Sequence, residues 1–183
     1  MDLYLKCIDK LILHLDRNKI TLAGHSMGGA ICMSYFLKYD NVDSLILIGT
    51  GAKLKVSSLI FESLQSDFNS AINQISSIAM YSKSKPLIEF VKAESLRTTS
   101  KTYIADFNIC NKFDIMDQVK KITVPTLIIC GEKDLLTPQK YSIYLNEKIK
   151  KSILQIIPNA GHDVHIEKSS VINQIIKNFV ESI

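Results

Sequence analysis

The sequence predicts an α/β fold, a mostly parallel sheet with flanking helices and a helical cap inserted into it. Three observations carry this expectation. Four short runs rich in Ile and Leu, at residues 20–23, 44–48, 126–130 and 153–157, lack strict alternation, the pattern of strands covered on both faces. Apolar residues at helical spacing lie between them, as the crossovers of parallel strands require. Residues 55–120 hold several helical patterns and no convincing strand.

In chain order, Leu5, Ile8, Leu11, Ile12 and Leu15 fall on one helical stripe that Asp16-Arg17-Asn18 breaks, which predicts an amphipathic helix entering a turn. The first run then passes through Gly24-His25-Ser26-Met27-Gly28-Gly29 into a helical pattern over 30–38. The second run ends in Gly49-Thr50-Gly51-Ala52, which offers no carboxylate. Helical patterns at 59–64, 71–80, 87–93 and 103–110 follow, a cap or lid over the sheet. The third run ends in Gly131-Glu132-Lys133-Asp134 before a helix over 138–149. The fourth ends in Pro158-Asn159-Ala160-Gly161-His162 before a helix over 169–183. This divides one domain into core residues 1–54, a cap of 55–120 and core residues 121–183.

The 183 residues suffice for one domain with a sizeable core. Hydrophobic residues make up 46% and charged ones 22%, a globular composition and not a disordered one. The net charge of +4 comes from lysines scattered along the chain. No aromatic residues interleave with them, so solvated faces are expected and a nucleic-acid partner is not. Cys7, Cys32, Cys110 and Cys130 lack pairing or ligand spacing and read as reduced core residues of a cytoplasmic protein. No apolar run approaches the roughly 20 residues of a membrane span, and the acidic start lacks the basic region of a leader.

Gly24-His25-Ser26-Met27-Gly28 fits G-x-S-x-G between a strand and a helix, the setting of a nucleophile elbow. The expected reason for the glycines is that a sharp strand-to-helix turn leaves no room for flanking side chains and pushes the serine hydroxyl out over the sheet edge. A serine hydroxyl is a poor nucleophile near neutral pH, so it needs a general base and a group that orients the base. Asp134 and His162 are candidates, both in loops past strand C-termini, where open α/β sheets place their sites. The order Ser26, Asp134, His162 is one of the known triad orders.

Through "GHSMGG", "VPTLIICGEKDLLTP" and "IPNAGHDVHIE", the chain resembles the C-terminal part of an α/β-hydrolase-fold protein over essentially its whole length. The resemblance implies Ser26 as nucleophile, His162 as base and then acid, Asp134 as its orienting carboxylate and the Met27 amide as an oxyanion donor. It also implies earlier strands, whose loop carries a second oxyanion donor, that this sequence does not contain. The first run should then be an exposed sheet edge, and self-association through it is expected. A shortened gene product, an internal methionine taken as the start, and a partner or swapped copy supplying the rest all stay open.

Rivals stand beside these residues. Asp134 has the position of a helix cap, Glu132 is a second acid, and His165 a second histidine with Asp163 nearby. His25 reads as a ring packed near the elbow, His14 as surface, and Cys130 as core. The histidines form no H-E-x-x-H or Cys/His ligand set, and no phosphate-cradling G-x-x-x-x-G-K motif occurs, so neither a metal nor a cofactor is expected. The expected function is a serine hydrolase of a small carboxylic ester or related acyl bond, Leu59, Ile60, Phe61, Leu64, Phe68, Ile72 and Ile75 supplying an apolar lid. The alternative is a non-catalytic or partner-dependent chain of the same fold that binds or scaffolds.

Overall fold

The structure is a computed structural model that describes residues 1–15 and 19–183. The predicted break at 16–18 lies outside the described residues. In chain order the elements are α1 (Asp2–His14), β1 (Thr21–His25), α2 (Met27–Tyr39), β2 (Ser44–Ile48), α3 (Ser58–Ser66), α4 (Phe68–Ala79), α5 (Lys85–Ser95), α6 (Ser100–Lys112), β3 (Thr126–Gly131), α7 (Gln139–Lys148), β4 (Ser152–Ile157), α8 (Val164–Glu167) and α9 (Ser169–Ser182). All four strands are parallel and lie in the order β1-β2-β3-β4.

Alternation along the central strands splits the core into two layers. Leu45, Leu47 and Ile128 face a cluster with Ala30, Met33 and Phe36 of α2 and Leu145 of α7. Ile46, Ile48, Leu127 and Ile129 face the other side, with Ile172 and Phe179 of α9. The helices therefore cover both faces of the sheet: the crossover helices α2 and α7 lie on one face, as crossovers of one hand between successive parallel strands require, and α9, after the last strand, covers the other. β2 and β3 are buried throughout, whereas β1 and β4 are only partly so. Double-sided burial was the expectation for all four runs. The two outer strands depart from it because each has a neighbour on one side only in this sheet, leaving Ile153 and Ile156 of β4 exposed.

The first helix packs by part of its predicted stripe. Leu5 is buried, Ile8 and Ile12 are packed against the core, and Leu11 and Leu15 face solvent. Tyr4 donates a 2.6 Å hydrogen bond to Asp106 of α6, and Asp9 accepts one of 3.0 Å from Tyr35 of α2. Cys7 turns outward with the polar side of α1 and is exposed, which corrects its assignment to the core. Cys32, Cys110 and Cys130 are buried.

Helices α3 to α6 follow one another without a strand between them. They have a core of their own, in which Leu64, Ala71 and Ile72 are buried beneath Ile60, Phe68, Ile75, Tyr103 and Phe107. Several of the apolar residues expected of a lid thus also hold these helices to one another. The segment leaves and rejoins the sheet at one neck. Lys53 and Asp114 form an antiparallel bridge and a 2.6 Å ion pair, and Ile115 N–H donates to Ala52 C=O at 2.8 Å.

Candidate active site

β1 runs to His25, and Ser26 follows with φ 52° and ψ −117° before α2 begins at Met27. A non-glycine residue at positive φ costs on the order of 1–3 kcal/mol and persists only where its surroundings impose it. Here the Ser26 amide donates to Ile48 C=O at 2.9 Å, while its carbonyl accepts from Gly29 N–H at 3.0 Å. The neighbouring glycines are not equivalent. A Cβ at Gly24 would lie 2.2 Å from the Gly28 backbone, and one at Gly29 would lie 2.5 Å from Thr50. Around Gly28 there is open space to 4 Å, so crowding explains the first glycine of the motif and not the second.

Asp134 and His162 meet. The sequence brings them to one end of the sheet because β3 and β4 are adjacent and parallel, so the loops that follow them emerge side by side. Asp134 Oδ2 lies 2.9 Å from His162 Nδ1, with the two residues 4% and 5% exposed. Thr137 joins the pair: its hydroxyl donates to Asp134 Oδ2 at 2.7 Å and lies 3.1 Å from His162 Nδ1. Asp134 Oδ1 accepts the amides of Leu136 and Thr137, both at 2.8 Å. Asp134 thus both organises the turn into α7 and hydrogen bonds to the histidine, so the two positions set out above as rivals are compatible in one side chain. Burial acts to raise its carboxyl pKa, but the hydrogen bond and charge of His162 and the Thr137 donors outweigh it, and the net direction is downward. An ionised carboxylate at Oδ2 selects the tautomer with the proton on Nδ1 and leaves Nε2 as an acceptor.

Ser26 and His162 share a neighbour. The His25 ring, one residue before Ser26, stands 4.6 Å from the His162 ring, and its Nε2 lies 3.0 Å from the His162 carbonyl oxygen. Among the described residues no hydrogen bond joins the Ser26 hydroxyl to His162. The Met27 amide at the start of α2 likewise donates to no described group, which leaves it free at the positive end of a helix.

The rivals are elsewhere. Glu132 accepts from the Asn159 amide at 3.3 Å and pairs with Lys133. His165 lies in α8, its ring 4.4 Å from that of His25. His14 is exposed on α1. Cys130 is fully buried, and burial raises its thiol pKa, which makes it unreactive.

Two contributors escaped the sequence reading. Thr137 could have been found as the hydroxyl three residues after an aspartate at a helix start. Glu167 accepts the amides of Gly161 and Ser82, each at 2.6 Å, and of Tyr81 at 3.3 Å. No local spacing announces that contact, because it joins α8 to the link between α4 and α5.

The family described as serine aminopeptidase, S33 matches residues 2–169. The chain belongs to this α/β-hydrolase family. As an enzyme of the α/β-hydrolase type it is similar to an esterase from Exiguobacterium antarcticum, 25% identical with a TM-score of 0.91 over 97% of this chain and 72% of that one. A thermophilic esterase is 31% identical, with a TM-score of 0.85 over 98% of this chain and 71% of its own. A proline iminopeptidase of Saccharolobus solfataricus is 26% identical over 197 residues, 91% of this chain and 63% of its own length. These likenesses bear out the expected α/β class and hydrolase resemblance. Among the described residues no helix is long and apolar enough to cross a membrane.

Proposed function

We propose that the chain is a serine hydrolase that cleaves a small carboxylic ester through an acyl-enzyme on Ser26, with His162 as general base and then acid and Asp134 as its orienting carboxylate. The observation that carries this is the buried 2.9 Å contact between Asp134 and His162, set beside a serine held at an elbow by backbone hydrogen bonds.

The chemistry follows from the donor and acceptor inventory. Ser26 Oγ attacks the ester carbonyl carbon while its proton passes to His162 Nε2. The carbonyl oxygen becomes an oxyanion, to which the Met27 amide donates. Collapse of the tetrahedral adduct breaks the bond to the alkoxide, which leaves with the proton held by His162. Water then attacks the acyl carbon and gives its proton to the same nitrogen; the second adduct collapses, the bond to Ser26 Oγ breaks as His162 returns that proton to it, and the acid is released. Throughout, Asp134 stabilises the imidazolium without taking its proton.

The acyl side of the substrate has an apolar place to lie. A cavity of ≈ 300 Å³ opens between α3, α4 and the acid loop, lined by Leu59, Ile60, Ile75, Ile78 and Leu136 among others. Leu136, two residues from Asp134, is the lining residue nearest in sequence to the proposed acid, and we assign the acyl side of the substrate to this cavity on that ground.

The test is intact mass after incubation with a fluorophosphonate, beside Ser26→Ala. One adduct, abolished by the substitution, is expected. A panel of alkyl esters and aminoacyl anilides then separates ester from amide cleavage. A folded chain that takes up no adduct and turns over no ester would favour the binding or scaffold reading.

A further inference from the structure

Beside Ser26 and His162, and separate from the contact between Asp134 and His162, lies a second cluster. His25, Asp163 and His165 each offer one ligand atom, and these atoms lie within 4.8 Å of one another. His25 Nε2 is 3.7 Å from Asp163 Oδ1. That distance is too long for a hydrogen bond.

Asp163 is mostly buried, its side chain 10% exposed, and no donor among the described residues hydrogen bonds to its carboxylate. His165 Nδ1 is fully buried and has no hydrogen-bond partner. Leaving a buried polar group unmatched is costly, and native structures pair nearly all of them. Two imidazole rings and a carboxylate gathered this closely offer lone pairs that a single cation can share.

We propose that His25, Asp163 and His165 form a binding site for one borderline divalent transition-metal ion, with zinc as the representative. Two imidazole nitrogens and one carboxylate oxygen suit such an ion and are poor for magnesium or calcium, which take oxygen ligands. With bonds of about 2.0–2.2 Å to each donor, ligand atoms of a tetrahedral ion stand roughly 3.4 Å apart. The cluster therefore closes on the ion by small side-chain movements. His25 Nε2 exchanges its contact with the His162 carbonyl for the metal. The fourth position is left to water.

The site spans the chain in a particular way. His25 ends β1 next to Ser26, Asp163 follows His162, and His165 belongs to α8. A bound ion ties the elbow to the histidine loop across 138 residues of sequence (163 minus 25). The inference does not depend on Ser26 being a nucleophile, since none of its ligands is assigned a step in the reaction.

The test uses the full chain, freed of metal with a chelator and titrated with Zn²⁺ by calorimetry. Co²⁺ is titrated in parallel by its visible absorption. One ion per chain is expected, with Co²⁺ bands of a tetrahedral nitrogen and oxygen site. Zn²⁺ at 100 times its Kd should raise the stability against urea by about 2.7 kcal/mol, the free energy of that excess. Asp163→Asn and His165→Gln, each checked by circular dichroism, should weaken binding at least tenfold, while His14→Gln on exposed α1 should leave it unchanged. Absence of stoichiometric binding to the unsubstituted chain overturns the proposal, whatever the variants do. So does binding that survives both cluster substitutions, or that is lost with His14.

Discussion

Glu167 accepts the amide of Gly161 at 2.6 Å, and through that contact α8 holds the backbone immediately before His162. The same carboxylate takes the Ser82 amide at 2.6 Å, so one side chain fixes the histidine loop and the start of the link into α5. Hydrogen bonds to a charged group are worth about 1.5–3 kcal/mol each. Glu167→Ala should cost about 2–4 kcal/mol in urea unfolding and lower kcat more than it raises KM. Glu167→Gln keeps one acceptor oxygen and should recover part of both. Unaltered kcat in a folded Glu167→Ala enzyme would show that this tether does not position His162.

The two glycines flanking Ser26 should respond in opposite ways. A methyl at position 24 meets the Gly28 backbone at 2.2 Å, a clash that only a backbone shift relieves. Gly24→Ala should destabilise by more than about 3 kcal/mol or prevent folding. Gly28→Ala enters open space in the first turn of α2 and should keep or raise the melting temperature, alanine being favoured over glycine in a helix by about 1 kcal/mol. Thermal unfolding of the two variants decides the point. Equal losses would mean that Gly28 is also sterically required.

Acid should expose what the orienting carboxylate contributes. The Asp134 pKa is held below its ordinary 3.8, so the folded chain binds the proton less readily than the unfolded one. The resulting stability is fully present above the unfolded value, about 4, and is lost as the pH falls through the folded value. Urea midpoints of the unsubstituted chain and Asp134→Asn should differ at pH 6, and the difference should shrink as the pH falls below the ordinary carboxylate value. A difference that persists unchanged in acid would assign the effect to packing. At neutral pH the same substitution should reduce kcat by up to about 10⁴-fold, because an amide no longer selects the tautomer with a free Nε2.

Thr137 offers a milder perturbation of the same pair. Thr137→Val keeps the shape of the side chain and removes the hydroxyl that donates to Asp134 at 2.7 Å. A loss of about 1–3 kcal/mol in stability is expected for a buried acceptor deprived of one donor. Turnover should fall by less than in Asp134→Asn, since the bond between Asp134 and His162 is retained. Hydrolysis of a short p-nitrophenyl ester measures this directly.

Much of this architecture is legible in the sequence because it rests on local pattern. The Ile and Leu runs at 44–48 and 126–130 correspond to β2 and β3, and Asp134 and His162 follow strands whose parallel pairing makes their meeting unavoidable. What the sequence conceals is tertiary. The exposure of β4 depends on which strands lie outermost in the sheet, and the outward turn of Cys7 on which face of α1 meets α2. The grouping of His25, Asp163 and His165 depends on β1 and β4, at opposite edges of a parallel sheet, ending at the same end of it, although residues 25 and 163 look unrelated in the chain. The openness around Gly28 is equally invisible, for a glycine in a motif looks the same whether or not its Cβ would clash.

The neck at Lys53 and Asp114 has a consequence for how such a chain can change its preferences. Because the outgoing and returning strands of backbone already touch there, whatever lies between them meets no demand from the sheet except to start and finish at that doorway. Doubling the length of such a loop costs only about 0.6 kcal/mol in closure entropy. One helical roof could therefore be exchanged for another by recombination at these two positions, and selectivity could be rewritten wholesale while the residues beneath stayed in place.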